Sequence, residues 1–375
     1  MSRPSLALVA TAGALLLAGR PAAAQPYAQT NLVSSVPGLA AVTDPQLINA
    51  WGLSFSPTSP YWISDAGTGV STLYNAAGVK QGLVVTIPGP GGGVPGVPTG
   101  QVFNNAASFA LGNGSNATFI FASATGTISG WNGAAGTTAI TKVNQFTAGA
   151  AYTGLAIAGS GGTARLYAAN FGNGRVDAFD GGFAPILAGS FTDPNLPAGY
   201  APFNVQTLGG SVYVTYALKN PLTGEDAPGA GHGFVDVFNT DGVLQRRLVS
   251  DGALDSPWGL AIAPAGFGPF GGALLVGNFG DGMIHAYNNT TGALLGAITG
   301  SNGAPIVNDG LWGIAFGNNG AGSDPNSLYI AAGINDEHDG LFARISAVPE
   351  PQTFALVGTG LAGLLVAARR RRSRP

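Results

Sequence analysis

Trp51-Gly52-Leu53-Ser54-Phe55, Gly154-Leu155-Ala156-Ile157-Ala158, Trp258-Gly259-Leu260-Ala261-Ile262 and Trp312-Gly313-Ile314-Ala315-Phe316 are variants of one short apolar strand. Gly100-Gln101-Val102-Phe103 and Phe203-Asn204-Val205-Gln206 fill the two gaps between them. Positions 52, 100, 154, 204, 259 and 313 then stand 48, 54, 50, 55 and 54 residues apart. Self-similarity at a period near fifty residues is the signature of a repeat architecture.

Each start is followed by a second apolar run: Tyr61 to Ser64, Phe119 to Ala122, Leu166 to Ala169, Val212 to Tyr216, Leu274 to Val276 and Leu328 to Ala331. A glycine-bearing turn then leads to a third, more amphipathic run, such as Val70 to Tyr74, Arg175 to Phe179 or Leu341 to Ile345. These runs are rich in Val, Ile, Phe and Tyr and bounded by Gly, Asn and Asp, as strands are. The unit reads as a three- or four-stranded antiparallel blade repeated six times. A blade cannot bury both faces alone, but six arranged radially bury each against its neighbours and expose only short outer edges. The predicted fold is therefore all-β, a six-bladed β-propeller over residues 25–347. A pair of β-sandwiches or a β-helix competes less well, because the period is too long for a β-helix coil and too regular for unrelated sandwiches.

Composition agrees with this reading. The 61 glycines and 25 prolines sit between periodic apolar segments, where turns belong. There are no cysteines, so neither a disulfide nor thiolate chemistry is available. Between Gln25 and Val348 the chain carries 8 Lys or Arg against 17 Asp or Glu, a net charge near −9 that the basic ends dilute to −3 overall. Such a body repels phosphate backbones and anionic lipid, so nucleic acid is excluded as an expected partner. No G-x-S-x-G elbow, Walker loop, dinucleotide-binding glycine motif or H-E-x-x-H is present.

The two ends carry addresses. Arg3 precedes an apolar run from Leu6 to Ala18, and Ala22-Ala23-Ala24 supplies a small-residue cleavage site, so residues 1–24 read as a secretory signal peptide. Residues 348–375 open with Val348 and the motif Pro349-Glu350-Pro351, continue with an apolar stretch from Phe354 to Ala368, and end on Arg369, Arg370, Arg371 and Arg372. The apolar stretch is at the short end for a transmembrane helix, and the arginines would stay cytoplasmic. This tripartite tail resembles the PEP-CTERM sorting signal of exopolysaccharide-producing bacteria. The resemblance implies an exosortase partner, transient anchoring in the inner membrane, and release or transfer to the cell surface or extracellular space.

The body resembles a family of uncharacterised bacterial propeller proteins that often carry such tails. The resemblance rests on Trp51-Gly52-Leu53, Gly126 to Trp131, Leu166 to Phe171, Tyr200 to Asn204, Leu275 to Gly282 and Gly310 to Gly313. It implies no activity.

In a propeller the innermost strand of each blade begins on the face onto which the loop between the second and third strands opens. Asn49, Asn204, Asp255 and Asp309 precede or begin inner strands, while Asp65, Asn170, Asn278, Asp281 and Asp336 sit in those loops. Converging oxygen donors suit Ca2+, and six-bladed lactonases hold a divalent metal at the equivalent place. Asp65, Asn170, Asn204, Asn278, Asp309 and Asp336 are thus the candidate metal ligands, with turn capping as the competing role for Asn and Asp beside glycine. Two further loops concentrate charge and should open on that same face: Asn335 to Gly340 with Asp336, Glu337, His338 and Asp339, and Lys219 to Gly233 with Glu225, Asp226 and His232. Carboxylate and imidazole together could bind Zn2+ or Mn2+, or act as general acid and base around a metal-bound water. Trp51, Trp258 and Trp312 share one repeat position, which favours packing wedges between blades over sugar-stacking platforms. Trp62 and Trp131 are core or inter-blade candidates, and His285 is expected to pack within its strand.

The expected function is that of an exported binding or structural component of the cell envelope or extracellular matrix, with exopolysaccharide as a partner. The alternative is a divalent-metal-dependent hydrolase resembling the six-bladed lactonases.

Overall fold

The computed structural model describes residues 26–91, 93–159, 163–186 and 191–349. The expected signal peptide, and the apolar stretch and arginines of the expected transmembrane tail, lie outside these residues. Among the described residues no helix is long and apolar enough to cross a membrane.

Six sheets are arranged in turn, antiparallel throughout except for one short parallel strand at the rim of the sixth, and in the first five the first strand of the sheet is innermost. Blade 1 runs outward through Ala50–Ser54, Tyr61–Asp65, Val70–Tyr74 and Lys80–Thr86, and blade 2 through Pro98–Phe103, Phe119–Ser123, Thr127–Trp131 and Ile140–Asn144. Blade 3 comprises Tyr152–Ala158, Arg165–Asn170, Arg175–Phe179 and Pro185–Ile186; blade 4 comprises Tyr200–Leu208, Ser211–Leu218, Gly233–Phe238 and Leu244–Ser250. Blade 5 is Pro257–Ile262, Leu274–Asn278, Ile284–Tyr287 and Leu294–Ala297. Blade 6 takes only Leu311–Phe316, Leu328–Ala332 and Leu341–Ala347 from the C-terminal end. Its fourth strand is the N-terminal Tyr27–Ser34, antiparallel to the third, with Tyr27 opposite Ala347 and Ser34 opposite Leu341, and the two-residue Val42–Thr43 pairs in parallel outside it. The first and last described strands therefore close the ring by backbone hydrogen bonds, a contact that sequence spacing did not reveal.

Alternation along the second strands explains why both faces of a blade are apolar. In Leu328–Ala332, Leu328, Ile330 and Ala332 pack toward blade 5, while Tyr329 and Ala331 pack toward blade 1. Side chains at successive strand positions point to opposite faces, so a strand sandwiched between two sheets must be apolar at every position. The buried apolar residues fall into six clusters, one between each pair of adjoining blades. A seventh cluster lies at the axis.

Each of the six inner strands also carries a β-bulge at the same repeat position, from Ala50/Leu53 in blade 1 to Leu311/Ile314 in blade 6. The repeated glycine follows from that geometry. A Cβ on Gly52 would lie 2.2 Å from the Thr99 carbonyl oxygen, one on Gly100 would lie 2.4 Å from the Leu155 nitrogen, and one on Gly313 would lie 2.7 Å from the Trp51 carbonyl oxygen. Neighbouring inner strands touch backbone to backbone there, and only a missing side chain permits it. Where blade 4 has Asn204 instead, the side chain reaches the next blade, Nδ2 donating to the Trp258 carbonyl oxygen at 2.7 Å.

Candidate functional site

A bulge re-aims the side chain it carries. Here it turns Trp51, Phe203, Trp258 and Trp312 toward the axis, where they form one cluster with Phe171, Ala66, Ala201, Ala217 and, at its edge, Phe279. Trp312 stacks on Trp51 with ring centroids 3.6 Å apart and on Phe279 at 4.0 Å, and Trp258 meets the edges of both Trp51 and Trp312 at 6.4 and 6.0 Å. The expectation of wedges between blades is thus corrected for these three tryptophans: they pack on each other across the axis. Trp62 does sit between blades, stacked on Phe119 at 4.1 Å and tilted against Trp131 at 4.9 Å.

This aromatic plug adjoins two cavities. One, of about 290 Å3, is lined by the inner strands themselves, including Gly52, Gln101, Asn204 and Trp258. The other, of about 430 Å3, opens at the mouth where the loops between second and third strands gather; Trp51, Phe171, Phe203, Phe279 and Trp312 line it together with Glu225, Asp226 and Glu337. The two charged loops of blades 4 and 6 therefore meet at one cavity. Asn335, Asp336 and Glu337 all adopt left-handed backbone, with φ of 57°, 51° and 63°. A run of this kind is costly for residues with side chains, and it delivers Glu337 to the cavity.

Burial raises the Asp226 and Glu337 carboxyls above the usual carboxylate range. The nearness of the Ser256 hydroxyl partly offsets this for Asp226, and that of the Asn49 and Trp312 side chains partly offsets it for Glu337. Repulsion from Glu225 adds to both shifts. Desolvation disfavours the charged form, and a like charge nearby does the same. Asp255 is raised in the same way, with the Gly229 N–H lowering it and Asp281 adding repulsion. Lys219 stands beside the cavity without lining it, its Nζ donating to the carbonyl oxygens of Phe171 at 3.2 Å and Gly172 at 2.7 Å and lying 5.6 Å from the centroid of the Phe171 ring. The indole N–H groups of Trp258 and Trp312 donate to Thr153 O and Asn49 Oδ1, each at 3.0 Å, whereas that of Trp51 is buried without a partner.

The six candidate metal ligands are placed as follows. Asp65, Asn170 and Asn278 occupy one equivalent position, the last residue of the second strand in blades 1, 3 and 5. Asp65 Oδ2 accepts from the Thr72 N–H and hydroxyl, and Asn170 Oδ1 accepts from the N–H groups of Ala151 and Asn173. Asn278 Nδ2 donates to Ala253 O at 2.8 Å, and its Oδ1 is buried without a partner. Asn204 Oδ1 accepts from the Val205 N–H deep in the inner ring. Asp309 Oδ2 accepts from the Asn335 N–H, while Asp336 is exposed. These oxygens are spread over strand ends, ring and rim. Among the described residues no group of three or more His, Asp or Glu is arranged to hold a metal ion.

The imidazoles turn back on their own loops, His232 Nδ1 lying 2.8 Å from Ala227 O and His338 Nδ1 lying 3.1 Å from Asn335 O. His285 is buried within Ile284–Tyr287, and desolvation lowers its pKa. What sequence reasoning missed is the aromatic floor of the mouth, because the bulge that turns each Trp inward leaves no mark beyond the Trp-Gly pair.

Comparison with known proteins adds three findings. Residues 347–372 match the PEP-CTERM protein-sorting motif. Solved structures similar to the chain include a streptogramin B lyase, with TM-score 0.52 and 10% identity over 86% of this chain and 98% of that one. Another is the calcium-binding protein regucalcin from Agrobacterium tumefaciens, with TM-score 0.51 and 11% identity over 88% and 99%. At such identity these structures share the fold and nothing finer. In sequence, the uncharacterized proteins R648 and L690 of Acanthamoeba polyphaga mimivirus are 33% and 32% identical, each over 84% of this chain and over 78% and 84% of their own lengths. These relatives are viral, whereas the resemblance read from the sequence is to bacterial proteins. The chain belongs to the family that includes the mimivirus proteins R648 and L690.

Proposed function

We propose that the protein is an exported, surface-sorted binding component of the cell envelope or extracellular matrix, and that the channel mouth is its ligand site. The observation that carries the reading is the mouth cavity, about 430 Å3, with an aromatic floor and the carboxyls of Glu225, Asp226 and Glu337 at its side. A concave, largely apolar site of ~300–1,000 Å3 with a few polar groups is the usual form of a small-molecule site. The Pro-Glu-Pro tail supports export, processing by an exosortase, and delivery to the surface where exopolysaccharide is at hand.

The test is binding of the full-length protein to the exopolysaccharide of the producing cell, compared with a Glu337→Lys variant that keeps the wild-type melting temperature. Loss of binding in the variant is the expected result; equal binding by both proteins would remove the mouth from the function. The metal-dependent hydrolase reading is checked on the same preparation. Stoichiometric Ca2+, a melting temperature that rises with added Ca2+, and turnover of a lactone would together replace the binding reading, since a ligand of the native state must stabilise it.

A further inference from the structure

The mouth cavity has three features that point to one class of ligand. Three carboxyls line it and no Lys or Arg does. Its floor is made of aromatic rings, with Phe279 and Trp312 stacked and Phe171 and Phe203 beside them. The third feature is the Trp51 indole. Trp51 is only 8% exposed and lines this cavity, yet its N–H has no acceptor, although the N–H groups of Trp258 and Trp312 both have one. Leaving a buried donor unpaired costs ~1–3 kcal/mol, so a ligand that supplies an acceptor there gains affinity by removing that cost.

We propose that the mouth binds a ligand carrying an ammonium group with an oxygen acceptor beside it, an amino alcohol or amino sugar. The ammonium pairs with the carboxyl-bearing wall of Glu225, Asp226 and Glu337, and the neighbouring oxygen takes the Trp51 N–H. This rests on the mouth being the ligand site. An ammonium makes charge-assisted hydrogen bonds to carboxylates and is attracted to aromatic faces. Anionic ligands meet the same carboxylates as repulsion. A bare divalent cation meets no ready set of donors, since no metal-holding group exists among the described residues. A neutral sugar can use the aromatic floor and the Trp51 donor, but leaves the carboxyls of the wall without a counter-charge.

Titration of the full-length protein with glucosamine and with glucose, followed by tryptophan fluorescence and calorimetry at a pH where the amine is charged, tests the proposal. Glucosamine is expected to bind ~10–100-fold tighter than glucose, the worth of one strong charge-assisted contact. Glu337→Gln should remove most of that preference while leaving glucose unchanged. Trp51→Phe should weaken glucosamine but not tetramethylammonium, which has no oxygen, and the latter measurement also shows that the variant retains its fold. Ethanolamine separates the two sources: affinity equal to glucosamine identifies an amino alcohol, and much weaker affinity identifies an amino sugar. Equal binding of glucose and glucosamine, both lost in Phe279→Ala, would overturn the ammonium assignment and leave the mouth as the site. Failure of every probe to bind, together with polysaccharide binding unaffected by Glu337→Lys, would overturn both.

Discussion

The indoles of Trp51 and Trp312 lie 3.6 Å apart and within 12° of parallel, so the first and last blades are joined at the axis by an aromatic stack. At the rim the same ring is joined by the ladder between Tyr27–Ser34 and Leu341–Ala347. A ring of sheets without cysteines is thus fastened at both its inner and its outer radius.

Trp312 is the centre of the inner fastening, since it carries Trp51 and Phe279 in stacks and donates its N–H to Asn49. Trp312→Ala is expected to cost ~3–5 kcal/mol, the usual loss for a buried large aromatic. Trp312→Phe keeps apolar bulk and gives up the hydrogen bond, so it should cost less. Urea melts of the three proteins measure this, and an alanine variant within about 1 kcal/mol of wild type would show that the plug contributes little.

The repeated glycine makes a second prediction. In Gly100→Ala the added carbon meets backbone atoms of Gly154 and Leu155, which cannot rotate away as a side chain could. Destabilisation of ~1–3 kcal/mol or more is expected from such overpacking. Gly82→Ala, at an exposed strand position with no atom within 4 Å of the new carbon, serves as the control and should be near neutral or slightly stabilising. Equal melting temperatures for the two variants would mean that the inner ring can spread without cost.

The six inner strands were legible because Trp-Gly and its variants recur on one period, and the apolar second strands because each is buried on both faces. Two features were not legible. The fourth strand of blade 6 comes from the opposite end of the chain, and no local pattern in Tyr27–Ser34 says which third strand it joins. The bulge that turns Trp51 and Trp312 inward is set by the contact of Gly52 and Gly313 with neighbouring backbones, which exists only in the closed ring. The candidate ligands divide on the same ground. Asp65, Asn170 and Asn278 stood out because each follows an equivalent apolar run, and the structure gives the Asp65 and Asn170 oxygens hydrogen bonds within their own blades. Glu337 reaches the mouth only through three successive left-handed residues, a path that spacing does not encode.

The rim fastening is tested by removing it. Deletion of residues 26–34 strips the fourth strand from blade 6, along with the Tyr27 hydroxyl that donates to Phe267 O at 2.8 Å and the fully buried Val33. An open edge and an uncovered core then favour aggregation. The deleted protein is expected to be largely insoluble or protease-sensitive. The milder Val33→Asp should lower the melting temperature without changing the fold, because it buries a charge with no partner. A soluble deletion variant with a sharp, wild-type-like melt would show that the axial stack alone holds the ring.

Acid titration provides the last prediction. Asp236 is fully buried in Gly233–Phe238, and desolvation, with repulsion from Asp193, pushes its pKa up to about 7 from 3.8, against the opposing pull of Arg247 at 3.4 Å. A carboxyl whose folded pKa lies above its unfolded value binds protons more tightly in the native state. Its favourable contribution is therefore complete below the unfolded value and is lost as pH rises through the folded one. The window runs from about 4 to about 7, and the loss is at most ~4 kcal/mol at 1.36 kcal/mol per pKa unit. Asp65, also fully buried, shifts in the same direction, while Asp44, whose pKa is lowered despite desolvation because Lys80 and Tyr74 bond it, acts in the opposite sense at more acidic pH. Replacing Asp236 with Asn isolates its share, since Arg247 retains its ion pair with Asp193. Asp236→Asn should gain ~1–3 kcal/mol over wild type at about pH 8 and little or nothing at about pH 4. Urea melts across that range decide it: a variant that is less stable at the alkaline end would show that the attraction of Arg247 outweighs the cost of burying the Asp236 charge.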